Sequence, residues 1–320
     1  MITAEEHIAP HLATSPVVQP SRLANRLIPL RESLLNRLAQ TSQMPPLNDQ
    51  SAAESSVPAA ALAGHIKTAL GQLKATAMDP GGTAVDYSAL RRSAAYTALR
   101  QEALAHLRAF NPQQLSSPDA ARAFWINLYN ALIIDAVINF DVQESVTAGR
   151  LGILTFFRRA AYLVGGQRIS LEDMEHGILR GNRGNPYVPG PHFSAGDPRL
   201  AWALPLDPRL HFALNCGGRS CPPIRVYEAD KLDQQLDLAT RAFLQSAVTI
   251  RPESEEIVLS AIFRWYAADF GGRDGLLHFL ATYLPAEHHR QWLLTAGSAP
   301  PFAWARGGGR GAGGGGGGGG

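Results

Sequence analysis

Residues 117–140 read SPDAARAFWINLYNALIIDAVINF. The pattern predicts one helix. Ser117 offers a hydroxyl cap, and Pro118 stands at the first helical position, where its missing N–H costs nothing. From Phe124 to Ile138 apolar residues occupy nearly every side of the helix, which predicts a central element buried all round. Its polar exceptions carry information: Asn127, Asn130 and Asp135, buried without partners, would each cost about 1–3 kcal/mol. Other segments must therefore pair them.

On the N-terminal side, Asp86 to Asn111 reads as helical, and Ala61 to Ala77 places Leu62, Ile66, Leu70 and Leu73 on one face. Residues 41–60, rich in Ser, Pro, Ala, Asn and Gln, read as a linker. Leu23, Leu27, Leu30, Leu34 and Leu38 recur at three- and four-residue steps. They predict a helical face docked on the core, kinked or split by Pro29 and too short for a coiled coil. Residues 1–20 read as an irregular arm.

On the C-terminal side, Gly165-Gly166 between short apolar runs predicts a hairpin. Ser170 and Asp173 form a capping box for a helix over 171–179. One stripe of that helix carries Glu172, His176 and Arg180. Residues 181–198 form a Gly-, Pro- and Asn-rich loop of the kind used as lids or binding loops, and they are the expected contact for a protein partner. Asp197-Pro198-Arg199-Leu200 and Asp207-Pro208-Arg209-Leu210 each lead a short apolar run, read as two adjacent strands entered through Asp-Pro turns. Asp230 caps an amphipathic helix, residues 248–251 and 257–259 pair as strands, and Ser260 opens a helix stopped by Gly271-Gly272. A helical pair over 275–293 and a disordered glycine tail close the chain.

The expected fold is therefore α+β, a mostly helical single domain around a small antiparallel sheet that carries a His211–Cys216 strand. The expected divisions are an N-terminal arm, short helices and linker over 1–60, the domain over 61–305 and the tail over 306–320. With 29 basic against 27 acidic residues, no basic patch and no recognition motif, nothing points to nucleic acid. No unbroken apolar run suggests a membrane span, no leader pattern precedes Leu12, and two cysteines do not make a disulfide scaffold, so an intracellular, cytoplasmic protein is expected.

Chemistry concentrates at Arg209 to Pro223, which holds both cysteines. Cys216 is the candidate nucleophile. Gly217 and Gly218 can expose successive amides as an anion nest, with Arg219 and Arg225 supplying charge. In a regular strand His211 and Cys216 point to opposite faces. His176 is then the candidate base, oriented by Glu172 or Glu175 and supported by Asn127 or Asn130. The competing reading makes all of these structural: a packed cysteine, a backbone-bonded His211, a solvated His176 and asparagines that satisfy loop carbonyls. A Cys216–Cys221 disulfide ranks low, since it would stay open in a reducing compartment. Zinc through His192, His211, Cys216 and Cys221 has no standard spacing. No cofactor motif is found.

Four segments resemble the domain of unknown function 547 family: Phe124 to Asn130, His176 to Asn182, His211 to Pro222, and Leu259 to Gly271. The resemblance covers residues 86–304. Around Ser21 to Leu38 the chain is also similar to the lead-in of plant and algal members, in which a DEP domain and a glutaredoxin-like domain precede this one. Neither is expected here, so a disulfide oxidoreductase activity does not carry over. At the level of fold analogy, the resemblance points to papain-like or transglutaminase-like thiol hydrolases. The leading expectation is a thiol-dependent hydrolase or acyl transferase. The alternative is a non-catalytic protein-interaction module.

Overall fold

A computed structural model describes residues 14–49, 57–79, 84–143, 146, 152–217, 221–284, 290–293 and 301–304. The fold is α+β and mostly helical, and the chain divides into two compact units at Thr240/Arg241. The glycine tail, residues 1–12, Gly218 and Arg219 lie outside the described residues.

The first unit is organised by helix α5, Pro118–Asn139, capped as its sequence predicts, with Ser117 Oγ accepting from the Ala120 N–H at 3.1 Å. Residues 122–138 are all buried. By length and composition α5 could span a membrane, yet 94% of its apolar window is enclosed by the protein. It is the core helix. Helices α1 (Arg22–Leu38), α2 (Ala59–Ala77), α3 (Tyr87–Arg91) and α4 (Ala94–Ala98) precede it, and α2 and α3 pack against it. Helix α6 (Gly152–Arg159) then leads into strands β1 (Ala161–Val164) and β2 (Gln167–Ser170). These form the expected hairpin, with Gly165 and Gly166 both at positive φ. At Gly165 only glycine fits, because a Cβ would sit 2.6 Å from the Phe110 carbonyl.

The buried polar side chains of α5 act as backbone partners. Asn127 Nδ2 donates to Tyr227 O at 2.7 Å while its Oδ1 accepts from Tyr227 N at 2.8 Å. One turn on, Asn130 Nδ2 donates to Ala213 O and its Oδ1 accepts from Asn215 N. Asp135 accepts from the Tyr96 and Tyr162 hydroxyls and from Arg100, all within 2.8 Å. Asn48 works the same way, donating to Leu104 O and Leu163 O and accepting from Leu163 N. Residues 41–49, read as linker, are thus fastened to the body.

Three expectations fail here. The Asp-Pro segments are 3₁₀ turns, Pro198–Trp202 and Pro208–Phe212, because Asp197 and Asp207 cap the amides of Arg199 and Arg209 and start helical turns. No sheet carries His211–Cys216 among the described residues, and the strand-parity argument lapses with it. Helix α1 is continuous through Pro29 and turns Ile28 inward, leaving its leucine face in solvent. Arg31 and Glu32 on its inner side anchor it, Arg31 donating to Pro189 O and Pro191 O and Glu32 Oε2 accepting from Arg158.

In the second unit, strands β3 (Val248–Arg251) and β4 (Glu256–Leu259) pair antiparallel, and β5 (Phe302–Trp304) joins β4 in parallel. Helix α7 (Leu232–Ala247) crosses the unit boundary. Helix α8 (Ala261–Trp265) is capped by Ser260, and α9 (Gly272–Tyr283) follows Gly271 at φ +80°.

Replacing Asn127 with Leu strands both backbone groups of Tyr227. The expected loss is about 2–4 kcal/mol by urea unfolding. A loss within 0.5 kcal/mol, the range usual for surface changes, would show that the clamp is dispensable.

Candidate functional site

The residues that converge in the first unit are charged groups around Asp173–Leu179. This segment is a π-helix, and five-residue bonds continue at its end from Arg180 N to Glu175 O and from Asn182 N to Gly177 O. The Ser170–Asp173 box forms as expected: Ser170 N and Oγ donate to Asp173 Oδ2, and Asp173 N donates to Ser170 Oγ. Gly177 is required by packing, since a Cβ there would meet the Phe193 ring at 2.2 Å.

His176 is buried rather than solvated. Its Nδ1 lies 2.8 Å from Arg180 NH1, so the ring accepts there and carries its proton on Nε2. Burial, then the charges of Arg180, His192, His211 and Arg158, hold its pKa well below the usual histidine value. The His192 ring lies 6.3 Å from that of His176, and its Nε2 is 2.8 Å from Asp173 Oδ1. Burial alone would raise the Asp173 carboxyl. Arg199 and the bonds from His192 and Ser170 overcome it and hold the group well below the carboxylate range.

Arg158 bridges Glu32 of α1 and Glu172, each at 2.6 Å. Shared between two carboxylates, it does not fully offset the burial of Glu172, whose carboxyl is pushed up to about 7 by desolvation against the pull of Arg158 and His192. A cleft of about 290 Å³ opens on this network between α1 and the hairpin, lined by Glu32, Arg158, Arg168, Asp173, His192 and Arg199. Sequence reasoning marked the Glu172–His176–Arg180 stripe but not the Arg158, Asp173 and Arg199 partners. The Ser170–Asp173 box and the glycine-dense loop were the available signals.

The loop 181–198 is pinned rather than free. Asn182 Nδ2 donates to Val18 O and Phe193 O, Phe193 N donates to Asn182 Oδ1, and Arg180 holds Gly184 O. Its tip leaves Tyr187 60% exposed.

Cys216 and Cys221 are joined as a disulfide, the pairing ranked low from sequence. The glycine-containing loop brings their Cα atoms to 6.1 Å, within ordinary disulfide reach. Cys216 is exposed, while His211 and His176 are buried. The Gly217 amide, expected as an oxyanion donor, is taken by Asn215 Oδ1 at 2.8 Å. Asn127 and Asn130 hold backbone, as above. Gly217 sits against Val137 and Val146, whereas Glu175, next to His176, is bonded by Tyr129. The cysteine stretch also runs past Asn130, next to Tyr129 on α5, so the two regions adjoin there. His192 serves Asp173 rather than the cysteines, and among the described residues no group of three or more His, Cys, Asp or Glu side chains is arranged for a metal ion.

Glu172 and His176 act oppositely on stability. The folded chain keeps the Glu172 proton up to about pH 7, whereas the unfolded chain loses it near 4.5, so this group lowers stability as pH rises between the two. His176 refuses in the folded state a proton that the unfolded chain accepts below 6.5, so it lowers stability on acidification. Glu172→Gln removes only the first effect. Its stability relative to wild type is expected to grow by about 1.4 kcal/mol per pH unit between pH 4.5 and about 7, measured by urea unfolding across that range. A constant difference would place the Glu172 titration elsewhere.

Residues 112–244 match the model of the DUF547 family, described as a protein of unknown function. No curated protein and no solved structure matches the chain.

Proposed function

We propose that this chain, with its DUF547 segment over 112–244, is a non-catalytic protein-interaction module. In it Asn127, Asn130, His176, His211 and the Cys216–Cys221 pair hold structure. The observation that carries this reading is that thiol and imidazole are each already engaged elsewhere. Cys216 is exposed and closed on Cys221, while His176 is buried and engaged by Arg180. A nucleophile and base need hydrogen-bond reach, and a thiolate needs a nearby cation or donor set. The pinned loop 181–198 offers a rigid partner surface, with Tyr187 as an aromatic of the kind that anchors interfaces.

A second reading, a thiol-dependent hydrolase or acyl transferase, is favoured by one observation: the exposure of Cys216. It requires reduction of the disulfide and a rearrangement that brings a histidine to the sulfur.

Iodoacetamide labelling followed by mass spectrometry separates the two. The module reading expects no adduct before reduction and, after reduction, labelling of Cys216 and Cys221 at rates similar to a free thiol. Labelling of reduced Cys216 at neutral pH far faster than Cys221, with a thiol pKa below about 7.5, would favour the hydrolase.

A further inference from the structure

Of the eight large apolar side chains exposed among the described residues, five stand on α1: Leu23 at 67%, Leu27 at 53%, Leu30 at 69%, Leu34 at 58% and Leu38 at 55%. Single exposed leucines need no explanation, but a contiguous row on one helix does. At 3.6 residues per turn they fall within an arc of about 80°, along a helix about 25 Å long. One flank of this arc packs on the body through Ile28 and Arg31. The other carries Arg22, Arg26 and Arg37, all exposed and none in an ion pair among the described residues. Glu32, the one acid of the helix, is turned inward to Arg31 and Arg158.

We propose that this face of α1 is a docking surface for an amphipathic helix of a partner protein, with apolar residues at heptad spacing and carboxylates along one flank. Two features select that occupant. The row from Leu23 to Leu34, at steps of four, three and four, is the narrow seam that another helix fills, whereas a lipid surface is met by a broader apolar face. The exposed arginines are complemented by carboxylates, which a second copy of α1 does not supply, its one acid being turned inward. Because α1 is already folded on its body, the partner meets a preformed seam, and the usual length requirement of an isolated helix pair does not apply. Arg31 joins α1 to the backbone of Pro189 and Pro191, so the helix lies beside the loop 181–198. This inference deepens the module reading and rests on it.

The test uses the full chain and two synthetic helices of about three heptads, with leucine at the a and d positions and either Glu or Lys at e and g. Fluorescence anisotropy is expected to show binding of the Glu helix, at least about tenfold tighter than the Lys helix and weakened by salt. Leu30→Asp, with an unchanged melting temperature, is expected to abolish it. Arg26→Glu combined with Arg37→Glu is expected to reverse the preference. The proposal is overturned if neither helix binds, if both bind alike, or if Leu30→Asp has no effect. It is equally overturned if light scattering finds a dimer lost in Leu30→Asp, or if phosphatidylserine vesicles bind where the Glu helix does not. Fast labelling of Cys216 would remove the module reading without touching these results, and failure of the helix would remove the docking surface without touching the labelling.

Discussion

The side-chain amides of Asn127 and Asn130 reach out of a helix that is buried on nearly every side and grip the backbone of two segments that have no sheet to join. Each amide uses one N–H to donate and its oxygen to accept, as a peptide unit does, so it replaces a missing strand partner at residues 213–215 and 227. Both backbone groups at such a position must be satisfied once water is excluded. This constraint explains how long stretches without regular structure cross the core of the first unit. Asp135 extends the device with a charge, gathering two tyrosine hydroxyls and Arg100.

The second organising element is the charge network. Buried ion pairs are weak stabilisers, because desolvation offsets most of their attraction, but removing one partner leaves a costly orphan. Arg158 ties α1 to the hairpin and the π-helix in this way, through Glu32 and Glu172. The network therefore fixes geometry more than it adds stability. It also leaves Glu172 poised to titrate near neutrality while His176 stays neutral.

Helix α5 was legible in the sequence because cap, proline and apolar run all agree from Ser117 to Ile138, and its three polar exceptions announced partners. Who those partners were was not legible, since an asparagine that binds backbone leaves no mark on the residue it binds. The runs after Asp197 and Asp207 were too short for periodicity to separate strand from helical turn, and the Asp caps decided for 3₁₀. The leucine row of α1 announced one face but not its destination. Arg31 and Glu32, on the inner side, found partners that hold the helix with only Ile28 buried. His176, the candidate base, is solvated on the competing reading because its stripe is polar, yet it is buried, held by Arg180 and beside the His192 ring. Two cysteines five residues apart permitted a disulfide, and spacing alone did not establish it.

The clamps have a kinetic side as well. Asn127 holds a residue 100 positions away, Asn130 one 83 away, and Asn48 one 115 away. Bonds over such separations form only after long loops have closed, and loop-closure entropy must be overcome before any of them contributes. Helix α5 can form early from local interactions, whereas the segments it grips dock late. Interactions made late on the route speed unfolding when lost and leave the folding rate little changed. The asparagines of α5 thus set how long the folded state lasts more than how fast it is reached.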